Sequence, residues 1–512
     1  MKYSAFIAIA LVVFSFMSLV TETFGVQDDF MFYQQTHLAD IWKTSYQNAV
    51  DQGRFFQMII VPLFFKLIPY GLNSLRFASY LNLFLWSIDV VLIALLLKKI
   101  LQQEAVFCIV LLFFAATVNI VGHYSPMVSY PVHYSFSIGL FLLSLLSFIS
   151  YQENRKSAFL LVSIVLYSAF ILFCELNILY LPFYLLLMKD MDKSWWRGIL
   201  PPSIRPFIAV TIVYVLVYVV WSSFMSNNLY RGTKISSHLE ISAVFKSIWA
   251  YSKPAIPLHF FHTDRGYLIN NSFLPEGHKQ NIAYIIYHAK ALWWIKAFII
   301  AGIAYAVTIR YKVSFTSKFK YVIPLLILYF FVPNSLISIT PKYIEWSAFE
   351  NYYVYTFYSY LTIVPFIAIL FLFLLEVVPK ASIKRAVVLI LSLTLFVVSI
   401  VNDYLNEHAL RSIRKSEQII EALHQWYATD SFKQIKDGQK IEASCMTHRF
   451  SDILYFGFIP KNLEQYTKIH TNKSIDFIHK DSILNFKESE MDRLRIDTVQ
   501  QKPRIYHTLA KE

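Results

Sequence analysis

Residues 4–30 read SAFIAIALVVFSFMSLVTETFGVQDDF. From Ala5 to Val20 there is no charge, and a few residues later two carboxylates, Asp28 and Asp29, stand side by side. A helix rises about 1.5 Å per residue, so an apolar run of roughly twenty residues matches the hydrocarbon thickness of a bilayer. A basic start followed by an apolar run is also the form of a cleaved signal peptide. Thr21-Glu22-Thr23-Phe24 offers no Ala-x-Ala-like site, and the apolar part is long, so an uncleaved first span is the expectation.

The same kind of run recurs along the chain. Of the 512 residues 56% are apolar and only 15% are charged, whereas a soluble domain carries about a quarter. Spans are expected near 4–21, 75–97, 105–121, 133–150, 157–174, 176–188, 206–223, 291–309, 321–340, 355–378 and 385–402. That makes an all-α polytopic protein with about eleven crossings. The run 176–188 is the shortest, and its separation from 157–174 around Glu175 and Asn177 is the weakest.

Charge orients these spans. One set of short loops carries Lys98 and Lys99, Arg155 and Lys156, Lys189, Lys193 and Arg197, Arg310 to Lys320, and Lys380 to Arg385. In the other set the loop from His123 to Pro131 has no Lys or Arg, and the one after Thr340 has Lys342 alone. The positive-inside rule then puts the N-terminus in the cytoplasm. An odd number of spans puts the C-terminus outside, together with three long polar segments, 22–74, 224–290 and 403–512. The net charge of +13 is therefore read as topology, not as nucleic-acid binding. The three cysteines, Cys108, Cys174 and Cys445, have neither metal-site spacing nor the numbers of a disulfide framework.

Within 22–74, Phe55 to Ile68 reads as an interfacial helix bounded by Lys66 and Pro69, and Ser236 to Tyr251 as a second surface helix. Two domains are expected: a membrane domain over 1–402 and a cap over 403–512. The cap opens on a helical pattern from Tyr404 to Tyr427, then alternates short apolar runs, Lys440 to Ala443 and Ile453 to Phe458, with turn residues. It reads as a small α+β unit.

The candidate chemistry gathers on the outer side. On a helix, Asp28 and Asp29 point about 100° apart and need not share a role. One can face a cavity as general base or metal ligand while the other braces the backbone, or both simply end the span among solvated headgroups. Arg54, after Gly53, holds a guanidinium at membrane depth, either to bind a phosphodiester or as a snorkelling anchor. His123, Tyr124, His133 and Tyr134 suit sugar hydroxyls or an ordinary aromatic belt. Glu175 is a loop acid or a buried functional group. His259, His262 and Asp264 lack a defined third zinc ligand.

A long first outer loop with an acidic pair and a later Gly-Arg-aromatic step, Gly53-Arg54-Phe55, resembles the GT-C superfamily of membrane glycosyltransferases. The likeness is greatest to bacterial GtrII-type glucosyltransferases and related members. Thr340-Pro341-Lys342-Tyr343, followed by Tyr352, Tyr353 and Tyr355, resembles the Pro-Lys-Tyr segments before tyrosine-rich spans in such proteins. The resemblance implies transfer of a sugar from a polyprenyl-phosphate donor to a hydroxyl of a glycan or lipid-linked glycan at the outer face of a bacterial inner membrane, such as O-antigen or lipopolysaccharide. It gives Asp28 or Asp29 the part of base or ligand to a divalent ion (Mg or Mn). Arg54 and Lys342 would neutralise the departing phosphate, and Tyr343, His123, His133 and Glu175 would line the substrate. Family members often offer Asp-Glu where this chain has Asp-Asp. Two other readings stay open: a flippase or transporter of lipid-linked sugars, which would favour mid-span charges and duplicated halves, and an O-antigen polymerase or ligase.

Overall fold

The computed structural model describes residues 2–25, 27–38, 40–52, 56–71, 74–120, 125–188, 201–224, 240–259, 282–311, 315, 318–347, 354–378, 380–443, 460–478, 492–499 and 502–508. From the N-terminus the main helices are α1 (Lys2–Met17), α2 (Gln27–Leu38), α3 (Ile41–Gln52), α4 (Leu75–Leu101), α5 (Glu104–Thr117), α6 (His133–Asn154) and α7 (Ser157–Phe173). They continue as α8 (Arg205–Phe224), α9 (Ile241–Ser252), α10 (Ala291–Arg310), α11 (Phe319–Ser335), α12 (Pro341–Ser347), α13 (Val354–Val377), α14 (Ala381–Tyr427) and α15 (Pro460–Thr471). Six of these, α4, α6, α8, α10, α13 and the Ala381–Glu407 part of α14, are long and apolar enough to cross a membrane. Shorter apolar helices cover 2–17, 104–117, 157–173 and 319–335.

Local chemistry sets several helix ends. Ser74 caps α4, its hydroxyl accepting from the Phe77 N–H at 3.2 Å, which satisfies one of the free donors of the first turn. The helix stops where Gln102 turns left-handed (φ 55°), a usual way to end a helix. Pro324, Pro333 and Pro365 sit inside α11 and α13, which neighbouring helices allow in a membrane bundle.

The bundle is built around α5. Every α5 residue from Ala105 to Thr117 except Phe107 is buried, and α1, α4, α10, α13 and α14 all pack on it. The Ser15 hydroxyl of α1 donates to the Ala115 carbonyl at 3.1 Å. By contrast α8 buries only Phe207 and Tyr214 fully and exposes Ile212, Val213, Leu216, Val219 and Val220.

Between α7 and α8 the chain forms a 3-10 helix, Glu175–Tyr180, and a short helix, Pro182–Leu186, in place of one continuous helix over 176–188. Pro182 withholds an N–H, so a break there is expected. The Tyr184 hydroxyl lies 2.5 Å from Ser144 Oγ near the middle of α6, and its ring packs 4.2 Å from Phe207 at the start of α8.

The first outer segment departs from expectation at Lys66. The helical path Gln57–Ile60, Val61–Leu67 and Ile68–Tyr70 widens to a π-helix over 61–67. Lys66 does not bound an exposed helix. It is fully buried, donating to Ser45 Oγ at 2.8 Å and Thr44 Oγ1 at 3.1 Å of α3. The second surface helix appears as α9, with Ile241, Phe245 and Trp249 exposed on one face.

Near the C-terminus, α14 runs without interruption for 47 residues. The expected boundary at 402/403 therefore falls inside a helix, because no Gly or Pro occurs between Ala381 and Tyr427. Asp403, expected to open a solvated tail, is buried in an ion pair with Lys296 of α10 at 2.6 Å. Beyond it lie α15 and a sheet of β1 (Lys440–Glu442), β2 (Asp476–Ile478), β3 (Asp492–Val499) and β4 (Lys502–Thr508), in the order β2-β1-β3-β4. β1 is parallel to both β2 and β3, and β3 is antiparallel to β4. The expected run 453–458 lies outside the described residues.

Candidate active site

Asp28 and Asp29 occupy the first turn of α2, where unsatisfied N–H groups and the helix dipole favour carboxylates. Their environments are opposite. Asp29 is 1% exposed. One of its oxygens accepts the Gly25 N–H at 3.2 Å, and the other accepts the Tyr130 N–H at 2.9 Å. The Tyr70 hydroxyl bonds the same carboxylate; burial first, and then that carboxylate, hold the Tyr70 phenol well above its ordinary pKa. Asp28 is exposed, and its Oδ2 accepts the Tyr130 hydroxyl at 2.8 Å.

Tyr130 thus serves both acids, its main chain holding Asp29 and its side chain meeting Asp28. The loop that presents it is tightly built. Tyr130 has φ 50° and Val132 φ 72°, and a β-branched residue there is strained. Asn82 of α4 over-determines the loop. Its Oδ1 accepts from the Val132 N–H at 3.0 Å and its Nδ2 donates to the Pro126 carbonyl at 2.7 Å. The Trp86 indole donates to the same carbonyl at 3.1 Å. Against this loop sits Gly25, where a Cβ would lie 2.2 Å from Ser129 Oγ and 2.4 Å from the Val128 oxygen. Only glycine allows that approach.

Ring contacts carry the site onward. Tyr130 meets Tyr134 edge-on at 5.8 Å, and Tyr134 lies 6.4 Å from Tyr355 at the start of α13. The Tyr355 hydroxyl is 3.1 Å from Cys174 Sγ, next to Glu175. The Thr356 hydroxyl donates to the Tyr251 carbonyl at 2.8 Å, and the Tyr251 hydroxyl to the Tyr343 carbonyl at 2.8 Å. Those bonds pin α12 beside α13. On α12, the Lys342 ammonium lies 4.1 Å from the Trp346 ring centre and 5.2 Å from that of Tyr343, within cation–π range.

Asp28 and Asp29 therefore join Tyr130 directly, while Glu175, Lys342 and Tyr343 connect to them through a tyrosine-rich rim. Two expected contact residues lie deeper than a sugar-facing role would have them. His133 is buried against Tyr134 and Phe173, at 4.7 and 5.1 Å between ring centres. The Tyr343 side chain is buried too. Arg54, His123, Tyr124, Tyr352, Tyr353, His262 and Asp264 lie outside the described residues. Gly25, Tyr70, Asn82 and Tyr130 were not anticipated. The Pro126 and Pro131 pair marks an ordered loop, but nothing local reveals which side chain it presents.

The donors here do not suit a divalent ion. Asp29 is saturated by hydrogen-bond donors and Asp28 accepts from a phenol. Among the described residues no three His, Cys, Asp or Glu side chains are grouped to hold a metal.

No family model matches the chain, and no curated protein matches it. Among solved structures it is similar to the oligosaccharyltransferase of Archaeoglobus fulgidus, crystallised with Zn and sulfate, at 12% identity and a TM-score of 0.36. The match covers 92% of this chain and 62% of that one, so this chain spans less than two thirds of its length.

Proposed function

We propose that the chain is a GT-C-type glycosyltransferase that moves a sugar from a polyprenyl phosphate to a hydroxyl of a bacterial surface glycan, at the extracytoplasmic face of the inner membrane. The observation that carries this reading is the unequal pair on α2: Asp29 is saturated and Asp28 is left accessible. Asp28 is then the base and Asp29 its brace. The acceptor oxygen forms a bond to the sugar C1 as the C1–O bond to phosphate breaks. The hydroxyl proton passes to the Asp28 carboxylate, and the polyprenyl phosphate leaves with the bonding electrons. Lys342 and Arg54 would meet the charge that grows on the phosphate.

Two features support the reading. The broken segment 175–188, whose Tyr184 meets Ser144 of α6 and Phe207 of α8, is read as a crossing. With it, about eleven crossings would put 22–74, 224–290 and the C-terminal unit on one side. A small apolar cavity lined by Leu97, Phe141, Tyr180, Leu326 and Leu361 among others has the chemistry a prenyl chain needs. The transporter reading draws on Asp89, which lies well inside α4, buried beside Gly139. Asp28→Asn protein that accumulates normally should lose glycan modification, read as the mass difference between surface glycans of cells with and without the chain. Full modification by both Asp28→Asn and Asp29→Asn would remove the assignment. Movement of a lipid-linked sugar without transfer would favour the transporter.

A further inference from the structure

Three helices far apart in sequence meet at the other end of α2. Each brings rings at helical spacing: Phe30, Tyr33 and His37 from α2, His424 and Tyr427 from α14, and Tyr466 and His470 from α15. The Tyr33 hydroxyl lies 2.9 Å from His470 Nε2, and the Tyr466 hydroxyl 3.0 Å from His424 Nε2. The His424 and His470 rings are 4.6 Å apart, as are those of Tyr33 and His37. Phe24, Phe30, Tyr33 and Tyr70 share one buried cluster with Leu423, Trp426, Leu463 and Tyr466. The C-terminal unit is therefore packed on the helix that carries the two acids.

The groups facing the imidazoles are few. Tyr33, Tyr427 and Tyr466 supply hydroxyls, and the Tyr70 carbonyl accepts from His37. Glu22 is the carboxylate nearest His424. It is paired with Arg76 at 3.9 Å, and its N–H is held by Glu417. Among the described residues no carboxylate pairs with His424 or His470 to offset a proton on both. Tyr70 lies against both Asp29 and His37 and so adjoins the junction and the acids alike.

We propose that the junction is an acid-released clamp, in which the C-terminal unit holds α2 in place while His37, His424 and His470 are neutral and loosens when they take up protons. Burial lowers all three pKa values, and the neighbouring His424 and His37 help bring His470 to about 4. In the undocked state each would titrate near its ordinary value of about 6.5. A proton is thus bound more readily undocked, so docking is strongest above about pH 6.5 and weakens as the pH falls toward about 4. That release would also lower sugar transfer rests on the reading of Asp28 as base. The clamp itself does not.

Amide exchange of the full chain in lipid nanodiscs, corrected for intrinsic pH dependence, separates the two, because it requires no sugar transfer. Between pH 7.5 and 5.5, protection of α2 and α15 should fall about tenfold, as one imidazole moving from about 6.5 to about 4 dictates. Protection of α5 should stay constant. In His470→Gln the fall should be clearly smaller than in the native chain, His37 and His424 alone remaining to take up protons. Constant protection of α2 and α15 in the native chain, or an undiminished fall in His470→Gln, overturns the proposal. Should that variant fail to accumulate, His470→Asn is read by the same two outcomes.

Discussion

The two ends of α2 are held by different physics. At its start a carboxylate takes N–H groups from two separate segments of the chain. At its far end rings pack on rings, and the polar atoms among them belong to imidazoles and phenols. One end is fixed by geometry that cannot give way gradually, since Gly25 and Val128 already touch. The other end is fixed by groups whose charge changes close to physiological pH. A catalytic element can thus be positioned rigidly at its working turn and conditionally at its tail.

Substitutions can break this contrast at either end. Asp28→Asn should have the largest effect on activity, about a hundredfold or more in transfer rate with accumulation and thermal stability unchanged. A variant retaining more than a tenth of the rate would move the base elsewhere. Gly25→Ala should follow, destabilising the outer junction by about 1–3 kcal/mol through overpacking against Val128 and Ser129. Thermal unfolding in detergent measures it, and an unchanged midpoint would show that the two segments can part without penalty. Asp29→Asn keeps the shape but turns an amide N–H₂ toward existing donors, a loss of about 1–3 kcal/mol. It should lower stability at every pH and reduce activity less than Asp28→Asn does at equal protein level. Tyr33→Phe removes only the hydroxyl facing His470, and should weaken docking of the C-terminal unit by about 1 kcal/mol. That loss would appear in the exchange of α15 and leave the Gly25 amide as protected as before.

Much of the bundle was legible because an apolar run of bilayer length needs no partner to be recognised. Burial was not. α5 and α8 read alike as apolar runs, yet one is enclosed by five helices and the other faces outward, because packing is decided by the rest of the chain. The acidic pair was visible, as was the principle that its members point apart. Which of them is saturated depends on Gly25 and on a loop about a hundred residues later, a contact that spacing does not encode. Lys66 misled for the same reason: a lysine ends an interfacial helix unless a neighbouring helix happens to offer hydroxyls. The junction drew nothing from the sequence, because His37, His424 and His470 are each isolated in it.

The unbroken α14 has a mechanical consequence. Its 47 residues form a rod of about 70 Å at 1.5 Å per residue, with the stretch beyond Glu407 extending about 30 Å past the membrane part. Nothing in that rod is jointed. A push on the C-terminal sheet, whose β4 rests against it, therefore acts as torque on a lever whose longer arm lies against α5 and α10. A force applied to that sheet would be delivered as tilt at the centre of the bundle.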